Sequence, residues 1–276
     1  MNEVQPAMRS ADAVDVIDVV MVGGGNMGAA LVGGMIESGV FAPDKLAVVE
    51  LLDPRRRELK DMFPSVAVVD TIPSCRSAVI AVKPSDVRAA TVAAVAAGAT
   101  RLLSIAAGIN IATIEDYAGD GVAVVRCMPN TPALVGKGAS AITGGRTATD
   151  VDLRWAESVL GAVGIVDRLP EEQLDAFTGF AGSGPAYIFL IAEALADAAV
   201  AEGIDRSTAD RVVSQLLLGT STLLARDGDP AALRRNVTSP NGTTAAGLDV
   251  LDVHDVRGSF AAAVRAATQR SRELGT

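Results

Sequence analysis

The sequence predicts an α/β protein in which an N-terminal doubly wound parallel sheet is followed by an all-helical domain. Short β-branched runs alternate with helical segments in the first half, and only helical patterns follow. Helices are expected on both faces of the sheet, because parallel strands need crossover connections. We divide the chain into a loose tail at 1–13, a sheet domain at 14–165 and a helical domain at 166–276.

The apolar and helical patterns place each predicted element in order. Strands are predicted at 16–22, 45–50, 65–70, 77–82, 101–108 and 122–132. Helices are predicted at 29–39, 86–97, 171–182, 186–203, 207–226, 230–237 and 260–274, with one more after residue 242.

Composition and charge exclude several classes of function. The chain has 276 residues, 49% of them hydrophobic, and a net charge of −9. Such an acidic balance excludes a broad basic face, so we expect no nucleic-acid partner. The N-terminus lacks a basic start followed by an apolar run, so no secretory signal is expected. We therefore expect a cytoplasmic protein.

The residues that usually carry metals or nucleophilic catalysis are scarce. Cys75 and Cys127 have no metal-site spacing and suggest no disulfide framework. The single histidine, His254, lies in an acidic stretch and is predicted to be a solvated turn residue. We expect neither a metal site nor a serine-hydrolase triad.

A glycine-rich segment between the first strand and the first helix predicts dinucleotide binding. The segment GGGNMG contains the G-x-G-x-x-G pattern with Gly23, Gly25 and Gly28. These residues serve a tight turn, close approach of a pyrophosphate, and close packing of helix on strand, respectively. The helix N-terminus that begins at Asn26 and Met27 would attract phosphates. A glycine turn without a ligand is the alternative.

The end of the second strand bears on the choice of nicotinamide cofactor. Glu50 ends the strand KLAVVE, where an acid usually bonds the ribose hydroxyls of NAD. Arg55 and Arg56 follow and could bind the additional phosphate of NADP, or they could begin a solvated helix. Both cofactors stay open, with a slight preference for NADPH.

Three further loops are expected at the same edge of the sheet, after later strands. They are Val82-Lys83-Pro84, Ala106-Ala107-Gly108 and Met128-Pro129-Asn130-Thr131. Ligands of doubly wound sheets bind at this edge, and the small residues at 106–108 would let a nicotinamide ring lie close to the backbone. Ordinary turn chemistry is the alternative for each loop taken alone.

The helical half carries an apolar segment and a second candidate anion site. Residues 186–203 are apolar apart from Glu193 and Asp197, which favours burial in a core or a dimer interface, and Ser183-Gly184-Pro185 is predicted to break the chain before them. That polar break argues against a membrane span. Residues 238–244, TSPNGTT, lead into a helix and could bind a substrate carboxylate. Alternatively, their hydroxyls cap only their own helix.

Six segments together resemble the pyrroline-5-carboxylate reductase family. They are GGGNMGAA, AVKP, SIAAGI, VRCMPNTPALVGKGAS, GSGPAYIF and VTSPNGTTAAGLDVLD, in the family's order and roughly its spacing. The resemblance implies reduction of L-1-pyrroline-5-carboxylate to L-proline, the last step of proline synthesis, by a Rossmann domain with NADPH or NADH. It also implies a helical dimerisation domain and a homodimer that can assemble into rings such as a decamer.

The resemblance also assigns roles to residues of this chain. It implies that Gly23 to Gly28, Val82-Lys83-Pro84 and Ala106-Ala107-Gly108 hold the cofactor. It implies that Ser239, Asn241, Gly242, Thr243 and Thr244 hold the substrate, with the Thr244 hydroxyl on the ring nitrogen. Lys83 has a rival interpretation as proton donor. Asn241 stands where glycine is common and Ala181 where serine is usual, and the first departure bears on the geometry of the carboxylate loop.

Two other functions compete with this interpretation. A 3-hydroxyacid dehydrogenase would share the first half but would place a catalytic lysine on a helix of the second domain, and no lysine follows Lys137. A nucleotide-sensing protein without turnover would not need the loop at 238–244.

Overall fold

The computed structural model describes residues 17–275, so the predicted tail at 1–13 lies outside the described residues. The described chain forms two compact units, one ending at Glu171 and the other spanning residues 172–274. The predicted domain limit after residue 165 remains a prediction from the sequence pattern.

The first unit contains one eight-stranded sheet with the strand order β3-β2-β1-β4-β5-β6-β7-β8. The strands are β1 (Ile17–Val22), β2 (Leu46–Val49), β3 (Ala67–Val69), β4 (Cys75–Ile80), β5 (Arg101–Ser104), β6 (Ala123–Met128), β7 (Gly138–Gly144) and β8 (Gly164–Arg168). The order reverses direction between β1 and β4, which is the switch point of a doubly wound sheet.

Five α-helices connect the strands of this unit. They are α1 (Asn26–Glu37), α2 (Asp53–Met62), α3 (Val87–Ala96), α4 (Ile111–Ala118) and α5 (Asp150–Gly161). Short 3-10 turns at Pro43–Lys45, Pro84–Asp86 and Thr131–Val135 complete the connections.

The two faces of the sheet bury separate cores, as the predicted pair of helical layers requires. On one face, Val19 and Met21 pack with residues of α1, α2 and α5. On the other face, Val20 and Val22 pack with residues of α3 and α4. This alternation within β1 follows from the two-residue period of a strand. The continuous apolar runs of the strands are explained by burial on both faces.

The sheet differs from the predicted all-parallel arrangement at one side. Strand β7 pairs antiparallel with β6, with Met128 opposite Ala141, and β8 then pairs parallel with β7. The pattern of alternating strands and helices did not reveal β7, β8, α4 or α5. Strand β7 is rich in small residues, and its direction depends on tertiary pairing rather than on local pattern.

The second unit is helical throughout its described residues. Its helices are α6 (Glu171–Phe177, which begins at the last residue of the first unit), α7 (Gly184–Ala201), α8 (Arg206–Asp227), α9 (Pro230–Asn236), α10 (Thr243–Val253) and α11 (Val256–Leu274). Few of its side chains are buried within the chain, apart from a small cluster of Ala196, Ala209 and Val213.

The predicted break at Ser183-Gly184-Pro185 coincides with an interruption of regular α-helix rather than with a loop. A π-helical turn, Thr178–Gly182, joins α6 to α7, and Ser183 between them keeps a right-handed helical backbone. Pro185 lies in the first turn of α7, where a missing N–H costs no helical hydrogen bond. The combined helix Glu171–Ala201 has the length and apolar composition of a membrane span, and 6% of its most apolar window is buried within the chain.

Candidate functional site

The glycine-rich loop packs so tightly against its surroundings that side chains are excluded at two of its positions. Gly23 has φ +109°, and a Cβ there would overlap the carbonyl oxygen of Ala81. A Cβ on Gly28 would overlap the carbonyl oxygen of Gly23. The first turn of α1 is therefore in direct backbone contact with the turn that follows β1, as the glycine pattern predicts.

The same loop fits an anion. A Cβ built on Gly25 meets nothing within 4 Å, and both Gly25 and Asn26 are exposed. No side chain caps the N-terminus of α1, and its first turn contains no acidic residue. The first N–H groups of this helix therefore meet no side-chain acceptor at the cap, which suits a pyrophosphate.

Glu50 and Arg55 contact the loop from the end of β2 and the start of α2. The Gly24 N–H donates to Glu50 Oε2 at 3.2 Å, and Arg55 Nε donates to the Gly24 carbonyl oxygen at 2.8 Å. Arg56 donates through Nη1 to the carbonyl oxygens of Glu50 and Leu51. The arginines do begin α2, but they are not freely solvated, since their side chains are 23% and 16% exposed, respectively.

The remaining predicted cofactor residues come together at the same edge of the sheet. The parallel registers align Val22 with Ile80, Ile80 with Ser104, and Ser104 with Arg126. The loops that follow these aligned strand ends contain Val82, Lys83, Pro84, Ala106, Ala107, Gly108 and Asn130. The predicted adjacency of these loops therefore holds within the first unit.

Individual residues of these loops differ in what they can offer a ligand. Lys83 and Ala107 are exposed, whereas Ala106 is buried. Gly108 has φ +75°, so a residue other than glycine would be strained there. Asn130 Oδ1 accepts from the Ala139 N–H at 2.9 Å and so holds the start of β7.

The predicted substrate residues form one tight turn in the second unit. The Gly242 N–H donates to the Ser239 carbonyl oxygen at 3.1 Å, and Asn241 between them has φ +58°. Proline at the second position and a left-handed residue at the third are typical of a type II turn. A Cβ on Gly242 would lie 2.5 Å from Ser239 Oγ and 3.1 Å from the Ser239 carbonyl oxygen, so a larger residue there would displace the Ser239 side chain.

Asn241 stands where the resemblance implies glycine, and its backbone is left-handed. Asparagine is among the few other residues that adopt this conformation readily. The departure from the family pattern therefore preserves the turn.

The turn leads directly into α10, whose N-terminus has no side-chain cap. Gly242 is the N-cap of α10 and makes no side-chain cap hydrogen bond, and the first turn contains no acidic residue. Thr243 and Thr244 are exposed, whereas the Thr238 hydroxyl donates to the Arg234 carbonyl oxygen at 2.7 Å. Of these three threonines, only Thr238 therefore uses its hydroxyl to bond a neighbouring helix.

Cysteine and histidine contribute nothing to either loop. Both cysteines are buried free thiols, and burial raises the pKa of Cys75 to about 11 and the pKa of Cys127 further still. Both therefore stay protonated near neutral pH. His254 is exposed at the C-terminus of α10. Within residues 17–275 no group of three or more His, Cys, Asp or Glu side chains is placed to hold a metal ion.

Gly24 makes contacts in this loop that the glycine motif alone does not predict. Gly24 falls within the range Gly23 to Gly28 that the resemblance assigns to the cofactor, but no separate role was predicted for it. Its N–H and C=O groups are both bonded to side chains, and a Cβ there would overlap Leu59 Cδ1. The unbroken triplet Gly23-Gly24-Gly25 was the available signal, because the motif itself requires only the first and third of these glycines.

The sheet order, the glycine loop and the neighbouring acid define the first unit as a Rossmann-class dinucleotide-binding domain. Comparison with known families agrees. A family described as NADP oxidoreductase, coenzyme F420-dependent, matches residues 18–108. A second family, pyrroline-5-carboxylate reductase dimerisation, matches residues 171–274.

Whole-chain comparisons identify the particular family. The pyrroline-5-carboxylate reductases of Methanosarcina acetivorans and Arabidopsis thaliana are each 37% identical to the chain, over 92% and 93% of it and over 96% and 95% of their own lengths. A pyrroline-5-carboxylate reductase structure from Coxiella burnetii has a TM-score of 0.88 and 31% identity, covering 95% of this chain and 99% of that one. The chain belongs to the pyrroline-5-carboxylate reductase family.

A further solved structure bears on the cofactor. The Plasmodium falciparum pyrroline carboxylate reductase, determined with NADP bound, has a TM-score of 0.80 and 27% identity, covering 94% of this chain and 98% of that one.

Proposed function

We propose that this protein reduces L-1-pyrroline-5-carboxylate to L-proline by hydride transfer from NADPH or NADH, the last step of proline biosynthesis. The observation that carries the proposal is the turn at residues 239–242, which leads into an uncapped helix in a chain that matches these reductases over nearly all of their length.

In this proposal the dinucleotide binds along the carboxyl edge of the sheet. The pyrophosphate binds at the N-terminus of α1, at Gly23, Gly25, Asn26, Met27 and Gly28. Glu50 accepts from ribose hydroxyls, because a carboxylate that already accepts two N–H groups retains further lone pairs. Arg55 lies beside the same ribose and is the group available for a 2′-phosphate.

The nicotinamide end is assigned to the loops after β4, β5 and β6. Ala106, Ala107 and Gly108 offer little side-chain bulk, so a flat ring can lie against their backbone. Val82-Lys83-Pro84 and Asn130 border this position. When bound, the reduced nicotinamide supplies the hydride.

The substrate carboxylate is assigned to the start of α10. Ser239 and the N–H groups of Gly242, Thr243 and Thr244 would receive it, with Asn241 shaping the turn. Main-chain donors and the positive end of a helix stabilise a carboxylate without a basic side chain. The same donors would fix the orientation of the imine ring.

The chemistry demands little from protein side chains. An imine protonated on nitrogen has an electrophilic carbon, so alignment of the two reactants supplies most of the acceleration. The Thr244 hydroxyl would bond the ring nitrogen and hold or deliver its proton. Lys83 is the alternative proton donor, but we assign it to the cofactor site because its loop follows β4 at the dinucleotide edge.

Following NADPH absorbance with and without L-1-pyrroline-5-carboxylate tests the proposal. Substrate-dependent oxidation with proline as product is the expected result. NADPH oxidation that does not depend on this imine, or none at all, would refute the activity. Repeating the assay with NADH gives the preferred cofactor, for which we expect NADPH.

We also propose that the exposed apolar helices of the second unit bury one another in a homodimer. Phe189 and Leu190 on α7 are 63% and 64% exposed, and Leu218 on α8 is 63% exposed. This segment lies within the match to the dimerisation family. Burial against a second copy accounts for the apolar helix 171–201 without a membrane, and rings of dimers such as a decamer would extend the assembly.

Replacing Phe189 by aspartate should dissociate the dimer, because a carboxylate would be buried without a partner. Sedimentation should then show monomers where the parent chain gives dimers or larger species. Val151→Asp is the matched control, since Val151 is 59% exposed on α5 of the other unit. Equal assembly of the parent and Phe189→Asp chains would exclude this face as the interface.

We further propose a cytoplasmic enzyme that acts on a small molecule and has no nucleic-acid partner. The net charge of −9 supports the last point.

A further inference from the structure

The Gly24 peptide links the adenosine end of the dinucleotide site to its pyrophosphate end. Gly24 lies between Gly23, which makes the turn, and Gly25, which faces open space. Its N–H donates to Glu50 at 3.2 Å, and its carbonyl oxygen accepts from Arg55 at 2.8 Å. Both polar groups of this one residue are therefore held by side chains, one from the end of β2 and one from the first turn of α2.

Each of these side chains is itself anchored. The second carboxylate oxygen of Glu50 accepts from the Leu52 N–H at 2.9 Å, and Arg55 Nη1 donates to Glu58 Oε2 at 2.7 Å. The anchors are Leu52, the N-cap residue of α2, and Glu58 in the second turn of the same helix. Movement of Gly24 would therefore break hydrogen bonds that also order the β2–α2 connection.

Packing fixes the third side of Gly24. A Cβ on Gly24 would lie 2.4 Å from Cδ1 of Leu59, whose side chain is fully buried and has little room to move away. Helix α2 thus packs against the loop through Leu59 and is hydrogen-bonded to it through Arg55. This accounts for the glycine between the two that the motif requires.

We infer that Glu50 and Arg55 are positioning residues that hold the Gly24 peptide, and that through it they set the pyrophosphate loop for NADH and NADPH alike. The inference rests on the proposed use of a nicotinamide dinucleotide. It differs from the expected role of these residues, which is to distinguish the two cofactors at the ribose. Fixing the Gly24 peptide would affect the pyrophosphate site, which NADH and NADPH share.

Arg55→Ala separates the two roles when binding is measured by calorimetry without substrate. Loss of the charged donor to Gly24 should raise the Kd of NADH about tenfold, and the Kd of NADPH by at least as much because NADPH also loses the proposed 2′-phosphate contact. A rise confined to NADPH would reduce Arg55 to a 2′-phosphate contact and overturn the inference, and so would an unchanged Kd for both.

Glu50→Gln provides the second variant and Arg57→Ala the control. Glutamine keeps one acceptor oxygen for the two N–H donors, so both cofactors should bind severalfold more weakly. Tighter NADPH with unaltered NADH would show charge repulsion alone and contradict the inference. Arg57 is exposed on the same helix and should change neither affinity when replaced. Because these titrations need no turnover, they remain informative if the proposed reaction is wrong.

Discussion

Gly28→Ala is expected to abolish dinucleotide binding at concentrations that saturate the parent protein. The new Cβ would overlap the Gly23 carbonyl oxygen and lie 3.3 Å from Met21 Cγ. A side chain could rotate away, but a carbonyl of the main chain cannot. Gly23 is also fixed, since its N–H donates to the Val49 carbonyl oxygen at 2.9 Å. Either α1 or the turn must therefore move.

The expected loss is at least about 100-fold in affinity, because the displaced backbone is the pyrophosphate site itself. Stability should fall by about 1–3 kcal/mol from overpacking. Calorimetric titration with NADPH measures the first effect and thermal unfolding the second.

Gly33→Ala is the matched control on the same helix. The atom nearest to its new Cβ would be Phe63 Cε1 at 3.6 Å, which is an ordinary contact. Alanine is also the better helix former, so stability should stay level or rise by up to about 1 kcal/mol. Equal behaviour of the two variants would mean that the close approach at Gly28 does not govern cofactor binding.

Thr244→Ala is expected to lower kcat by about 100-fold and to leave the Kd of NADPH unchanged. In the proposed site its hydroxyl bonds the ring nitrogen of the imine, whereas the cofactor contacts belong to the other unit. The exposed Thr244 side chain at the start of α10 makes a folding defect an inadequate explanation for such a loss. Steady-state rates and a cofactor titration on the same preparation give both quantities.

Thr244→Ser serves as the rescue variant, because serine keeps the hydroxyl. Its kcat should lie within a few-fold of the parent value. A loss of cofactor affinity without a loss of turnover in Thr244→Ala would contradict the assigned role. Equal turnover of the alanine and serine variants would contradict it as well.

The sequence was most informative where local chemistry alone determines structure. Buried parallel strands need apolar β-branched runs, and the turn after β1 needs glycine, so both could be predicted. The type II turn at 239–242 also carried its own signal, since Ser-Pro-Asn-Gly suits that turn. The turn type was nevertheless not predicted from it.

Helices α4 and α5 were not predicted, although capping residues mark the start of each. Helix α5 begins with a capping box between Thr149 and Asp152, and α4 is capped by Asn110, whose side chain accepts from the Thr113 N–H at 2.8 Å. Such caps mark helix starts in a sequence. Both helices were therefore predictable.

Other features depend on pairing between distant segments. The antiparallel direction of β7 follows from its partner β6. The Glu50–Gly24 bond joins residues 26 positions apart, and it exists because the β1–β2 register places Val22 beside Val49. No local pattern encodes such a register, so these contacts required the structure.

Transfer of an isotopic label tests the central claim most directly. NADPH carrying deuterium at C4 of the nicotinamide, prepared as each of its two diastereomers, is incubated with the protein and L-1-pyrroline-5-carboxylate. With one diastereomer, mass spectrometry and NMR should find deuterium in proline at the ring carbon that was double-bonded to nitrogen. Proline without deuterium from both diastereomers, or no proline at all, would contradict the account.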